Sequence, residues 1–342
     1  MKKLDMKNYL MFSSKSFLRL VRISSKMYVI PSLVVYPSDR CNYKCLMCDS
    51  GEDGGNKKSM SIEMFRKIID ETSHYLIKPK IHLSGLGEPL LYGDITELMK
   101  YCGDNKMRWS MTTNGYLLSK FADAIVKHNC SALNISIHGT EDDHNAITKV
   151  DNAYNTVIDG LAKLVATKKS YATNSPVVAI NCVVTSINVD KMFHVLDEMI
   201  KLPVNSITFQ HPIFSPSTID SNEFLIREEE PIGKLVDFVK YVYALNATKK
   251  INVFPRIKVA DIPLYYSSSN ELFKQSCVLP WLTARIYPSG DVGVCGEIFG
   301  NIQNDTIAHL VNNEVAVNFR NRLQRGENVS TKCFRCCHRH YY

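Results

Sequence analysis

Cys41, Cys45 and Cys48 fall within the run Asp39-Arg40-Cys41-Asn42-Tyr43-Lys44-Cys45-Leu46-Met47-Cys48-Asp49. Three thiolates on one short loop can hold three irons of a [4Fe–4S] cube and leave the fourth iron open to a small molecule. An open iron is a place for chemistry, so the spacing points to an enzyme. The competing chemistry, structural zinc, wants four ligands, and no fourth cysteine or histidine is near the loop. A second set stands near the other end: Cys277, Cys295, Cys333, Cys336 and Cys337. Its C-x2-C pair would also suit a zinc site. Cys102, Cys130 and Cys182 lie between the sets, in segments where cysteine behaves as a small core residue.

These cysteines need elements to hold them. Strand-like runs at 31–36, 80–84, 107–112, 132–137, 177–184 and 205–210 alternate with amphipathic helical patterns at 61–77, 94–104, 117–128, 152–168 and 190–201. Such alternation implies a parallel sheet with right-handed crossovers. Six strands make an incomplete (β/α)6 barrel, TIM-like, with ligands expected at the C-terminal strand ends. A helix around 224–247 and a strand near 251–259 follow. The stretch Arg285 to Val294 reads as a hairpin, with Pro288-Ser289-Gly290 turning between two short apolar strands. The expected organisation is a basic N-terminal extension over 1–28, the α/β barrel with a connecting segment over 29–262, and a small cysteine-rich domain over 263–342.

The formal charge of +7 is unevenly placed, with seven basic residues against Asp5 in the first 26 positions. The remainder is near neutral, so no nucleic-acid footprint is indicated. The basic segment is loosely amphipathic; it reads as a leading helix packed on the barrel, with a membrane-surface contact or a cleaved targeting segment as alternatives. It lacks a continuous apolar stretch of the kind that directs secretion. Clustered rather than scattered cysteines fit metal binding in a reducing cytoplasm better than disulfides.

The C-x3-C-x2-C pattern, placed after the first strand of a βα-repeat domain, resembles the radical S-adenosylmethionine (radical SAM) superfamily. The resemblance implies a cluster whose open iron is chelated by SAM, reductive cleavage to a 5′-deoxyadenosyl radical, and abstraction of a substrate hydrogen atom. Ser84-Gly85-Leu86-Gly87-Glu88-Pro89 is similar to the family's glycine-rich element, which makes Gly85, Gly87 and Glu88 cofactor-binding candidates. Met47 stands where the family usually has an aromatic residue beside the adenine. Thr112 and Asn114 after the third strand, and Ser136 after the fourth, match segments that face the ribose and carboxylate. Lys149 stands near the position of a family arginine; Asn181 and Asn188 are further candidates. His211, ending the sixth strand, is expected to face the mouth and touch substrate.

Cys277, twelve residues, Gly290, four residues, Cys295, and then Cys333-Phe334-Arg335-Cys336 resemble the front half of a SPASM domain, closer to its shortened "twitch" form. The resemblance implies one auxiliary [4Fe–4S] cluster on Cys277, Cys295, Cys333 and Cys336, with adjacent Cys337 as an alternative ligand. If Cys337 is not a ligand, it can return a hydrogen atom to a substrate radical and so epimerise it. With all four irons protein-bound, the second cluster accepts an electron, and the net reaction is a dehydrogenation. The layout is similar to aminocyclitol dehydrogenases of the butirosin pathway and to SPASM peptide maturases. The expected substrate is a small polar molecule such as a sugar or aminocyclitol, with a ribosomal peptide that is cross-linked or epimerised as the alternative, and flavodoxin or ferredoxin as the reductant. A non-catalytic metal-binding or redox-sensing module is the reading from another class.

Overall fold

The structure, a computed structural model, describes residues 24–48, 57–213, 223–245, 251–267 and 275–327, with Val329, Cys333, Arg335, Cys336, His340 and Tyr341. Most of the basic extension, the polar loop at 214–222 and Cys337 lie outside the described residues.

Strands β1 (Ser32–Val35), β2 (Lys80–Leu83), β3 (Trp109–Thr113), β4 (Ala132–Ser136), β5 (Val177–Val183), β6 (Ser206–Gln210) and β7 (Ile251–Phe254) pair in parallel, each with its successor. Helices α1 (Ile62–Ser73), α2 (Ile95–Asp104), α3 (Leu118–Lys127), α4 (Glu141–Thr148), α5 (Ala153–Ser170), α6 (Met192–Met199) and α7 (Glu229–Ala244) lie in the connections. This is the TIM-like α/β architecture, with β7 adding one more parallel strand than the six of the repeat. The short helix α8 (Ile262–Tyr266) follows, then β8 (Gln275–Ser276), which pairs with β12 (His340–Tyr341). Next come α9 (Leu279–Leu282), β9 (Thr283–Ile286), β10 (Asp291–Val294), β11 (Glu297–Asn301), α10 (Ile307–Leu310) and α11 (Glu314–Gln324).

The expected hairpin is β9–β10, and its place matters. β9 lies parallel against β1, opposite β2, and β10 and β11 continue antiparallel, so one ten-stranded sheet runs β11-β10-β9-β1-β2-β3-β4-β5-β6-β7.

Period-2 alternation sorts the strand residues between two faces. Leu33, Val35, Ile81, Leu83, Met111, Leu133, Ile135, Ile180 and Phe209 are buried with helix residues such as Phe65, Ile68 and Ile69 in the main core. Cys102, Cys130 and Cys182 lie in that core, and burial raises each thiol's pKa. The alternate positions, among them Val34, His82, Thr112, Asn134, Asn181 and Gln210, are only partly buried and line the opposite, concave face. Val294, Phe299, Ala316 and Phe319 form a separate small core beneath the hairpin and α11, and Cys295 packs on it. Among the described residues, no helix is long and apolar enough to cross a membrane.

Candidate active site

The loop of Cys41, Cys45 and Cys48 leaves the C-terminal end of β1 and is fastened at several points. Lys44 N–H donates to Thr148 O (3.2 Å) and Leu46 N–H to Ile147 O (3.0 Å), tying it to the last turn of α4. Cys48 N–H closes a turn on Cys45 O (3.1 Å). Inside the loop, Tyr43 is buried, stacks edge-on against Tyr116 and His144, and leaves its hydroxyl without a hydrogen-bond partner. The thiols lie within electrostatic reach of one another. Cys45 is pushed up to about 12 by burial first, then by Cys48 and Cys41. Cys41 is also raised, chiefly by burial.

Among the described residues, no three Cys, His, Asp or Glu side chains converge on a single ion. A cubane asks for something else, one thiolate per iron at separate corners, and three clustered thiols on a pinned loop fit that demand.

Glycine is required beside this loop. A Cβ on Gly87 would lie 2.4 Å from Ser38 O and 2.5 Å from Arg40 O. Glu88 N–H also donates to Arg40 O (2.8 Å). Gly85 has φ +150°, and a Cβ there would press on the Tyr36 ring at 2.9 Å.

The other candidates divide by what their atoms already bind. Asn114 donates from Nδ2 to Asn42 Oδ1 (2.8 Å), with Cys41 Sγ 4.0 Å away, so it stands against the cysteine loop. Thr112 Oγ1 meets His82 Nε2 (3.0 Å) and Asn134 Nδ2 (3.4 Å) on the concave face. Asn181 Nδ2 donates to Gln210 Oε1 (3.1 Å) on the same face, and Ser136 pairs in register with Asn181. Met47 is half-buried against the main core. Lys149 is exposed and caps α4 in the left-handed region, φ 57°.

Three candidates turn out otherwise engaged. Glu88 accepts from Leu90 N–H (3.0 Å) and Thr113 Oγ1 (2.6 Å) at one oxygen and from Asn114 N–H (2.7 Å) at the other. Its carboxylate ties the glycine loop to the end of β3. Burial raises its pKa while the three bonds oppose. Asn188 is 0% exposed; it donates to His138 O and Val183 O and accepts from Thr185 N–H, which closes the β5–α6 connection. His211 is also fully buried, with Nδ1 2.8 Å from Tyr266 Oη and its ring packed on Tyr265 and Tyr266 of α8. It shares strand parity with core residue Phe209, which is why it does not line the concave face. Gln210 does, and sequence reasoning passed over it along with His82, Asn134 and Arg285. The signal was present: each is a polar residue alternating with apolar neighbours on a strand.

In the second set, Cys295 sits just past β10 with φ 56°, Cys277 precedes α9, and Cys333 is buried. Arg335, between Cys333 and Cys336, is buried and donates to Leu264 O (2.9 Å), Tyr265 O (2.6 Å) and Ser267 O (3.3 Å). That fastens the C-x2-C pair to the C-terminal end of α8, where carbonyls carry the helix's negative pole.

Comparison with known proteins bears on both sets. Residues 35–185 match the family model of the radical SAM superfamily, and residues 277–337 match that of SPASM, an iron-sulfur cluster-binding domain. The chain carries a radical SAM domain followed by a SPASM domain. Its cofactors are accordingly SAM and two [4Fe–4S] clusters. A probable GTP 3′,8-cyclase of Methanocaldococcus jannaschii is 31% identical over 139 residues, 40% of this chain and 46% of that protein. The chain thus spans under half of that relative. Streptococcus suis SuiB, in a crystal structure with the precursor peptide SuiA, superposes with a TM-score of 0.66 at 15% identity, over 93% of this chain and 72% of SuiB. Native anSMEcpe with bound AdoMet gives 0.61 at 20%, over 90% and 88%. Both structures share the fold of this radical SAM protein.

Proposed function

We propose that this radical SAM enzyme removes two hydrogens from a polar substrate held against the concave face of the sheet. The observation that carries the reading is the adjacency of β1 and β9. The cysteine loop hangs from one strand, and the hairpin bearing Cys295 begins with the other. When loaded, the site on Cys41, Cys45 and Cys48 supplies a 5′-deoxyadenosyl radical from SAM, and the site on Cys277, Cys295, Cys333 and Cys336 supplies an electron acceptor.

The chain's own residues do the rest. The backbone of Ser84 to Gly87 lies close enough to the cysteine loop to receive the amino group of SAM, and Asn114 abuts Cys41. His82, held neutral by burial with its pKa lowered to about 4, organises Ser110 and Thr112 through its two ring nitrogens. With Asn134, Asn181 and Gln210 it forms a polar wall that can orient hydroxyl or amide groups. A small polar molecule such as a sugar or aminocyclitol suits that wall. A peptide is the second reading, favoured by two fold relatives solved with peptides: SuiB with SuiA, and anSMEcpe with the Cp18Cys peptide. The reductant is a flavodoxin- or ferredoxin-type protein.

The test is mass spectrometry of turnover mixtures. Reduced protein with SAM yields 5′-deoxyadenosine, and the accepted substrate loses two hydrogens; deuterium uptake without mass loss would instead mark epimerisation. Cys41→Ala, Cys45→Ala and Cys48→Ala each abolish 5′-deoxyadenosine. Cys295→Ala retains it and stops the two-hydrogen loss. Cleavage persisting in all three single variants would overturn the assignment and favour a non-catalytic metal module.

A further inference from the structure

Arg285 of β9 pairs in register with Val34 of β1 on one side and Gly293 of β10 on the other. Cross-strand partners share a face, so Arg285 lies on the concave side with Val34. Gly293 brings no side chain, and Cys295 follows two residues later. Toward the radical site, Tyr36 and Tyr287 meet edge-on with ring centroids 5.3 Å apart, and Tyr36 N–H donates to Ile286 O (2.9 Å). The Tyr36 ring in turn abuts Gly85. Gly85, Tyr36 and Tyr287 are therefore in contact, strand register and electrostatic reach carry the line on to Arg285 and Cys295, and Arg285 holds its only full positive charge.

The guanidinium lies within electrostatic reach of Tyr36, Cys295 and Tyr287. Burial works to lower its pKa, yet these neighbours raise it overall. Among the described residues, no carboxylate forms an ion pair with it. A partly buried cation without a carboxylate needs another anion nearby. A four-thiolate cluster is one, and it gains a further negative charge on reduction. A fixed cation stabilises the reduced form more than the oxidised form, because the attraction scales with the charge.

We propose that Arg285 raises the reduction potential of the auxiliary cluster, so that the cluster on Cys295 can take the substrate's electron. The inference rests on the auxiliary-cluster assignment of the preceding section. Arg285 is a positioning residue here: it acts through the cluster.

The test uses the full-length chain carrying Cys41→Ala, Cys45→Ala and Cys48→Ala, reconstituted anaerobically with iron and sulfide and titrated by EPR. Arg285→Met should lower the midpoint, reducing the ratio of reduced to oxidised cluster at the parent's midpoint by about tenfold, or about 59 mV. Arg285→Lys should recover most of that shift with unchanged iron content. Arg285→Gln provides the same reading if the methionine variant loads poorly. An unchanged midpoint in a fully loaded Met or Gln variant overturns the proposal, as does a lysine variant shifted as far as Met. A parent chain that binds no cluster refutes the auxiliary-cluster assignment instead.

Discussion

Gly87 and Glu88 are adjacent and do different work. Gly87 lets the glycine loop touch the cysteine loop backbone to backbone, with Ser38 O and Arg40 O in the space a methyl group would need. Neither carbonyl is the end of a flexible side chain, so Gly87→Ala must displace the loop. The expected cost is about 1–3 kcal/mol, read as a lower melting temperature together with less iron retained per chain. A variant that melts and loads like the parent would show that the two loops do not need this approach. Glu88 contributes acceptors: Leu90 N–H, Thr113 Oγ1 and Asn114 N–H all donate to it. Glu88→Gln keeps the size but turns one oxygen into a donor facing donors. Leaving a buried N–H or hydroxyl unsatisfied costs about 1–3 kcal/mol, and thermal denaturation of the variant measures it directly. An unaltered melting temperature would contradict the tie between the glycine loop and β3.

Helix α4 shows how a short element serves the site. Its eight residues are mostly polar, and what starts it is a capping box: Thr140 Oγ1 accepts from Asp143 N–H while the Asp143 carboxylate accepts from Thr140 N–H. Asp143 also pairs with Lys191 (2.8 Å), drawing α4 toward the beginning of α6. The far end accepts the two backbone bonds that pin the cysteine loop. Thr140→Ala should therefore cost about 1 kcal/mol and also slow cluster assembly, measured as iron uptake during reconstitution. Unchanged uptake in a destabilised variant would separate the cap from the loop.

Hydrophobic periodicity does not reveal α4, because only Ala146 and Ile147 supply an apolar side; the Thr140-Glu141-Asp142-Asp143 signature does. The long helices and core strands were readable for the opposite reason, since their apolar residues repeat at clear periods. The cysteine sets were readable because ligand spacing is local. The distant half of Asn188's engagement and that of His211 was not, since those partners lie on other elements: His138 50 positions away, and Tyr266 55 away. Sequence alternation also could not show that β9 would lie against β1, a pairing between positions 251 residues apart that only the assembled sheet decides.

The molecule as a whole buries histidines in neutral form, and this sets how it responds to acid. Val183 N–H donates to His138 Nδ1 (3.3 Å), and His138 N–H donates to His144 Nδ1 (3.0 Å). Each ring must keep that nitrogen unprotonated to accept from a backbone donor. Burial lowers His138 to about 3, with His144 adding to the effect, and burial lowers His144 to about 4. Burial likewise takes His211 to about 3 and His82 to about 4. In the unfolded chain all four titrate near ~6.5. Between that value and the folded values the unfolded state binds more protons, so stability is full above about pH 6.5 and declines as the pH falls toward 4. Each histidine adds a slope of up to about 1.4 kcal/mol per pH unit in that window. The denaturant midpoint should be flat from pH 8 to 7 and fall steeply from 6.5 to 5, above the range where ordinary carboxylates begin to titrate. Replacing His138 and His144 together by Gln should make that fall shallower by about two protons' worth of slope. An equal slope in parent and variant would mean that these rings are not held neutral by the fold.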